Sequence, residues 1–190
     1  MLPGTGDGKG PTLRQERLRW AWLLAIPFLY LSSPSPPLLL TGAFVSLFGV
    51  LLRASAAGHI HKDRELATRG PYGRLRHPLY VGSFLTGLGL ALAGGRWWFL
   101  LLYFLLFLWL YGRTIRAEEE WLARHFGDAY ESYRSRVPAF LPSPTPVDPA
   151  PSSSSVGFRK DLYLRNREWQ AALGTAVGFG LLWVRSWFLV

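Results

Sequence analysis

Five long apolar runs constrain this 190-residue chain more than anything else in it: Leu18 to Leu31, Leu38 to Ala57, Pro78 to Gly95, Trp97 to Gly112 and Trp169 to Val190. They are too continuous to alternate with a solvated helix or strand face. Crossing a bilayer core takes about 20 apolar residues, with a lower limit of roughly 17. The second, third and fifth runs meet that requirement outright. The first and fourth are short and span only with snorkelling arginines or local thinning of the bilayer. Trp20, Trp22, Trp97, Trp98, Trp169, Trp183 and Trp187 lie near the run ends, where amphipathic rings prefer the water interface. The expected fold is therefore all-α: a polytopic integral membrane protein with about five transmembrane helices.

The net charge of +9 does not form a nucleic-acid-binding stripe, because the basic residues collect in particular loops. Arg14, Arg17 and Arg19 precede the first run. Arg53, Lys62, Arg64, Arg69, Arg74 and Arg76 surround the second loop. A third group, from Arg113 to Arg167, separates the fourth and fifth runs. The other two connections, "SSPSPP" and "GGR", hold only Arg96. The positive-inside rule then places the N-terminus and both basic loops in the cytoplasm. The absence of cysteine removes disulfides, thiolate metal sites and thiol nucleophiles from consideration.

Breakers organise the chain further. "SSPSPP" and "AGGR" each close a helical hairpin on the outer side, and Pro27 is expected to kink the first helix. After the fourth run, Leu122, Phe126, Tyr130 and Tyr133 recur at spacings of four, four and three with charges between them. That pattern predicts a cytoplasmic amphipathic helix ended by Val137-Pro138. The expected divisions are a disordered tail over residues 1–12, a membrane core over 13–142, a Pro/Ser-rich linker over 143–156 and a C-terminal segment over 157–190 with the fifth span.

Two constellations could carry chemistry. In "GPYGRLRHPLYVG", Pro78 suits the first turn of a helix, which puts His77 near its N-cap. Helix N-termini offer free N–H groups and partial positive charge. With Arg74, Arg76 and His77 alongside, the place favours a carboxylate or phosphate, and Tyr80 lies one turn away. Taken singly, the arginines and Tyr80 read as boundary markers and an interfacial ring; His77 and Pro78 with the preceding turn point to a ligand. The second constellation is Glu118, Glu119 and Glu120. As an isolated triplet it would be a solvated helix start, but topology brings it to the same membrane face as His77. An anion site and a carboxylate site could then hold opposite ends of one zwitterionic or sugar-bearing ligand.

Other features carry less. Gly87 and Gly89 inside the third run read first as a close helix-packing site, with a pocket wall as the alternative. His59, His61 and Asp63 read as a polar helix end rather than a metal set, and no metal site is expected. Arg165, Arg167 and Glu168 read as a membrane boundary, with a lid over the site as the alternative. No serine-hydrolase order, P-loop or zinc signature is present.

The two motifs "GPYGRLRHPLYVG" and "EEEWLARHFGDAYESYRSRVPAFLP" together resemble the isoprenylcysteine carboxyl methyltransferase and phospholipid methyltransferase family of integral membrane enzymes, over roughly residues 45 to 142. The elements that match are Arg76, His77, Pro78 and Tyr80, followed by Glu118, Glu119, Phe126, Gly127, Tyr130, Tyr133, Val137, Pro138 and Pro142. The resemblance implies S-adenosylmethionine as cofactor. By the same resemblance His77 and Tyr80 bind its amino-acid end, Glu118 and Glu119 its ribose or amino group, and Gly87 and Gly89 line the pocket wall; Arg76, His77 and Glu119 are the catalytic candidates. It also implies membrane lipids as surroundings and a lipophilic or lipidated acceptor, with a prenylcysteine-like carboxylate ahead of a phospholipid amine. Membrane sterol reductases, which use NADPH, resemble the same region. Leu79 and the Glu118, Glu119 and Leu122 pattern fit the methyltransferases better. A non-enzymatic membrane scaffold would explain the helices but not the paired motifs. The oligomeric state is left open.

Overall fold

The computed structural model describes residues 25–60, 66–145 and 158–188, and every regular element among them is helical. Residues 25–31 are helical and are followed by α1 (Pro36–Ala57), a single 3-10 turn (Gly70–Gly73), α2 (Pro78–Ala93), α3 (Trp97–Phe126), α4 (Asp128–Arg136), α5 (Lys160–Arg165) and α6 (Trp169–Trp187). Prolines open α1 and α2 in the first turn, where a missing N–H costs nothing. Pro27 lies within the helical residues 25–31, whereas Trp20 and Trp22 fall outside the described residues. The 1–12 tail and His61 and Asp63 lie outside them as well.

Small residues bring α1 and α2 together. A Cβ on Gly42 would run into the Gly89 carbonyl, and one on Gly49 would meet Thr86 at 2.5 Å. Between these contacts Ser46 Oγ donates to the Thr86 carbonyl at 2.8 Å. Residues 42, 46 and 49 share one face of α1, so the two backbones approach along about two turns. Gly89 therefore lies in the helix interface, in keeping with the packing reading of the Gly87–Gly89 element. Gly87 instead abuts the Tyr103 ring of α3, and the Tyr103 hydroxyl donates to the Ser83 and Phe84 carbonyls at 3.2 and 3.0 Å.

The two breakers meet at one end of the bundle. Ser33 N–H donates to the Gly94 carbonyl at 2.9 Å. Gly95 next to it holds φ at 74°, and a Cβ there would run into the Ser33 carbonyl, so only glycine fills the position without strain. Leu39, Ala93 and Leu182 form the core at this end, with Phe28, Leu29, Leu90 and Phe179 packed around them.

Helix lengths redistribute the expected spans. The third run, long enough by composition, yields only 16 helical residues, about 24 Å at 1.5 Å per residue. The fourth run, expected to be short, belongs to a 30-residue helix about 45 Å long. Among the described residues, α1 and α3 are by length and composition the helices able to cross a membrane, with only 22% and 17% of their apolar windows buried. Leu40, Phe44, Leu47 and Phe48 on α1 and Leu105, Leu108 and Trp109 on α3 are exposed. An uncovered apolar surface of that extent suits a lipid environment and would be a liability in water.

The fourth run and the polar segment after it form one continuous helix, not a span followed by a separate amphipathic helix. Glu118, Glu119 and Glu120 consequently sit well inside α3 rather than at a helix start, where the dipole would have favoured them. The break comes at Gly127, with φ 52° and ψ −129°, a region open to glycine and closed to other residues. The predicted stripe nonetheless packs as one unit: Tyr130, Tyr133 and Val137 are buried together, with Leu66, Leu122, Ala123 and Phe126 against them.

The C-terminal segment folds back along α1. Arg159 N–H donates to the Gly58 carbonyl at 3.0 Å, Asn166 Nδ2 to the Ala57 carbonyl at 3.0 Å, and Leu182 packs on Leu39. Glu168, expected at a membrane boundary, forms an ion pair with Arg53 at 2.7 Å, with its side chain only 10% exposed. An arginine in an otherwise apolar α1 demands a partner, and Glu168 supplies it.

Candidate functional site

The site forms where the first turn of α2 meets the polar half of α3. Non-helical backbone at His77 (φ −118°, ψ 54°) places it at the N-cap of α2, with Pro78 following. Its side chain makes no cap hydrogen bond and instead reaches α3, where Nε2 lies 2.9 Å from Glu119 Oε1. The Arg76 guanidinium meets the same oxygen at 3.2 Å. One turn along α2, the Tyr80 hydroxyl donates to Glu118 Oε2 at 2.6 Å. Residues about forty positions apart in sequence thus interlock in two parallel pairs.

A strap holds this turn in place from the other side. Arg76 and His77 N–H groups donate to the Pro138 and Ala139 carbonyls at 2.9 and 3.3 Å, and Ser143 N–H donates to the Arg74 carbonyl at 2.9 Å. Arg74 Nη1 adds a bond to the Pro144 carbonyl at 2.9 Å. The strap lays Phe140 against the His77 imidazole, ring centres 5.8 Å apart. The stripe of α4 braces the preceding turn, since the buried Tyr133 hydroxyl donates to the Tyr72 carbonyl at 2.8 Å. So Val137-Pro138 is more than a helix terminator: it starts the segment that clamps the motif.

Electrostatics favour an ionised Glu119. Burial alone would push its carboxyl up, but the His77 hydrogen bond and the Arg76 guanidinium outweigh that and hold it below the usual carboxylate range. The phenols nearby are kept neutral: burial and the Glu118 charge push the Tyr72 hydroxyl well up, and burial pushes Tyr130 up to about 12. His77 is 4% exposed, while Arg76 and Glu119 keep 12% and 19% of their side chains accessible, so the cluster is sheltered but open at one edge.

Arg76 Nε and Nη1 and the Tyr72 hydroxyl are buried without hydrogen-bond partners. Unpaired buried donors of this kind cost roughly 1–3 kcal/mol each, more when charged. A ligand carboxylate would accept a charge-assisted bond from either of these guanidinium nitrogens. Glu118 and Glu119 each have acceptor capacity beyond the contacts described, enough for an ammonium or hydroxyl donor. The anion site and the carboxylate site, expected at opposite ends of a ligand, are in contact with each other. Gly87 and Gly89 lie farther along α2, Gly89 about 18 Å from His77 by helical rise, and both face helix neighbours. Among the described residues no group of three or more His, Cys, Asp or Glu side chains could hold a metal ion. His59 turns its Nδ1 to the Ser55 carbonyl at 2.7 Å, a local helix contact.

Three residues near the site escaped the sequence reading. Tyr72 and Phe140 lie within the recognised motifs but gave no chemical signal of their own. Arg53 did give one: it is the single charged residue in the run from Leu38 to Ala57, and an ionisable group within an apolar span is a functional hint by default.

Comparison with known proteins supports the same region. Residues 37–129 match the family model described as phospholipid methyltransferase. The protein-S-isoprenylcysteine O-methyltransferase of Schizosaccharomyces pombe is 40% identical over 82 residues, 43% of this chain and 35% of that protein. The nickel-cobalt-cadmium resistance protein NccN of Alcaligenes xylosoxydans xylosoxydans is 38% identical over 81 residues, 43% of this chain and 38% of its own length. The cobalt-zinc-cadmium resistance protein CzcN of Cupriavidus metallidurans is 38% identical over 112 residues, 56% of this chain and 50% of its own. The chain thus spans between about a third and a half of the curated relatives it matches. No solved structure matches it.

Proposed function

We propose that the chain, whose residues 37–129 match the phospholipid methyltransferase family model and which resembles an isoprenylcysteine O-methyltransferase, is a polytopic membrane enzyme transferring a methyl group from S-adenosylmethionine to a lipophilic acceptor. The observation that carries this reading is the joining of Arg76, His77 and Glu119, beside the Tyr80–Glu118 pair, with two Arg76 nitrogens left buried and unpaired. A zwitterionic amino-acid end fits such a cluster, its carboxylate on Arg76 and its ammonium on Glu118 or Glu119. His77 and Tyr80, fixed by the two glutamates, shape the same pocket, and the Phe140 strap shelters it from water.

When bound, the cofactor supplies an activated methyl group on a sulfonium centre. The chain's own residues then have to bind, align and exclude water rather than provide strong acid–base chemistry. That requirement favours a carboxylate acceptor of the prenylcysteine kind, which is nucleophilic as it stands. An amine acceptor would first have to lose a proton, and in this reading both glutamates of the cluster are already engaged with the cofactor and with His77, Arg76 and Tyr80. Active site and N-terminus are assigned to the cytoplasmic side from the basic loops, and the apolar faces of α1 and α3 contact lipid.

The test is methyl transfer by the full chain in detergent or bilayers, using labelled S-adenosylmethionine with a farnesylcysteine analogue and, separately, a phospholipid bearing a primary amine. Label on the carboxyl of the farnesylcysteine is expected. Label on the phospholipid amine alone would overturn the acceptor assignment, and label on neither would overturn transfer to both classes.

A further inference from the structure

The C-terminal segment lies outside the stretch that matches the family, yet it reaches the turn that carries the site. Glu168 accepts two hydrogen bonds from Arg53, from Nε to Oε2 and from Nη2 to Oε1, both at 2.9 Å. The remaining Arg53 nitrogen, Nη1, donates to the Leu79 carbonyl at 3.3 Å and to Ser83 Oγ. Leu79 lies between His77 and Tyr80, the residues that meet Glu119 and Glu118. Close by, the buried Tyr72 hydroxyl without a partner feels the charges of both Glu118 and Glu168.

We infer that Glu168 is a positioning residue for the site: through Arg53 it fixes the first turn of α2, and with it His77 and Tyr80, so that the segment from 158 to 188 is a working part of the enzyme rather than an added anchor. The bidentate pair neutralises Arg53 and orients its fork, leaving one nitrogen aimed at the α2 carbonyl. Three further contacts seat Glu168. Asn166 Nδ2 and Arg159 N–H bond the end of α1, and Gly58 packs on the Phe158 ring. Without Glu168, an uncompensated guanidinium would remain half-buried against the first turn of α2, and that turn would shift to let it reach water.

This inference rests on the methyltransferase reading for its ligand, and the experiment separates the two. Full-length wild-type chain, Glu168→Gln, Leu182→Val and the exchanged double variant Arg53→Glu with Glu168→Arg are titrated with S-adenosylhomocysteine. Amide hydrogen exchange over residues 78–84 is followed in the same ligand-free samples. Glu168→Gln is expected to bind about tenfold more weakly and to exchange faster over 78–84. Leu182→Val, which loosens the same segment far from the site, should melt earlier yet keep wild-type affinity and exchange there. The exchanged variant re-forms the ion pair and should regain melting temperature. A carboxylate at position 53 has no donor for the Leu79 carbonyl, so affinity should stay low. Recovery of full affinity by the exchanged variant, or unchanged exchange over 78–84 in Glu168→Gln, would overturn the positioning role. Failure of the wild-type chain to bind would count against the cofactor reading, with the exchange data still deciding the role of Glu168.

Discussion

Replacing Glu119 with glutamine keeps the shape of the side chain and removes its charge. In the structure this carboxylate takes His77 Nε2 at 2.9 Å and the Arg76 guanidinium at 3.2 Å on one oxygen. Hydrogen bonds to a charged group contribute about 1.5–3 kcal/mol, against about 1 kcal/mol for a neutral bond. Two contacts lose that difference, about 1–4 kcal/mol in total, and the 19% exposure of Glu119 argues for the lower half of that range, about 2 kcal/mol. If ligand recognition uses the arrangement of Arg76 and His77 that Glu119 fixes, restoring it on binding falls on affinity. At 1.4 kcal/mol per factor of ten, that is roughly a 30-fold weaker dissociation constant. Calorimetric titration of the full chain with S-adenosylhomocysteine measures it, with Glu120→Gln, an exposed neighbour, as the reference expected to match wild type. Affinity within twofold of wild type in Glu119→Gln would refute the reasoning.

The remaining predictions concern charge and backbone. Because the folded-state carboxyl of Glu119 titrates below its ordinary value of 4.5, its contribution is complete above that pH and is lost as the pH falls through the lower folded value. The stability gap between wild type and Glu119→Gln, measured by thermal unfolding, should be constant from pH 7 to about 5 and close below it; a gap that widens on acidification would contradict the assignment. Gly89→Ala would drive a Cβ into the Gly42 carbonyl and Ser46. It should lower the melting temperature sharply, and loss of ligand affinity with unchanged melting would make this glycine a pocket residue instead. A Cβ on Gly127 meets nothing within 4 Å, so Gly127→Ala isolates backbone strain. It should destabilise by about 1–3 kcal/mol, and an unchanged denaturation midpoint would show that the bend is not required.

The helical class and the two motifs that make up the candidate site were legible because they follow from local pattern. Apolar continuity marked the helices, Pro78 marked the N-cap position of His77, and the repeat at Leu122, Phe126, Tyr130 and Tyr133 marked a buried stripe. What the sequence left hidden depends on long-range geometry. The glutamates looked like the start of a helix because composition changes at Arg113, yet the backbone continues unbroken for 30 residues from Trp97. Gly127 looked like one more helical residue until its φ of 52° bent the chain. The pairing of Arg53 with Glu168 joins residues 115 positions apart, and the clue was only the isolated charge in an apolar run. Contact between the anion-favouring and carboxylate groups, against the expected separation, likewise depends on how closely α2 and α3 approach.

The central claim is that the Arg76, His77 and Glu119 cluster binds an adenosyl amino acid. Parallel calorimetric titrations of the detergent-purified full chain with S-adenosylhomocysteine and with NADPH test it most directly. Saturable binding of S-adenosylhomocysteine with no heat from NADPH is the predicted result. Saturable binding of NADPH alone would contradict it and turn the same motif into the phosphate site of a reductase.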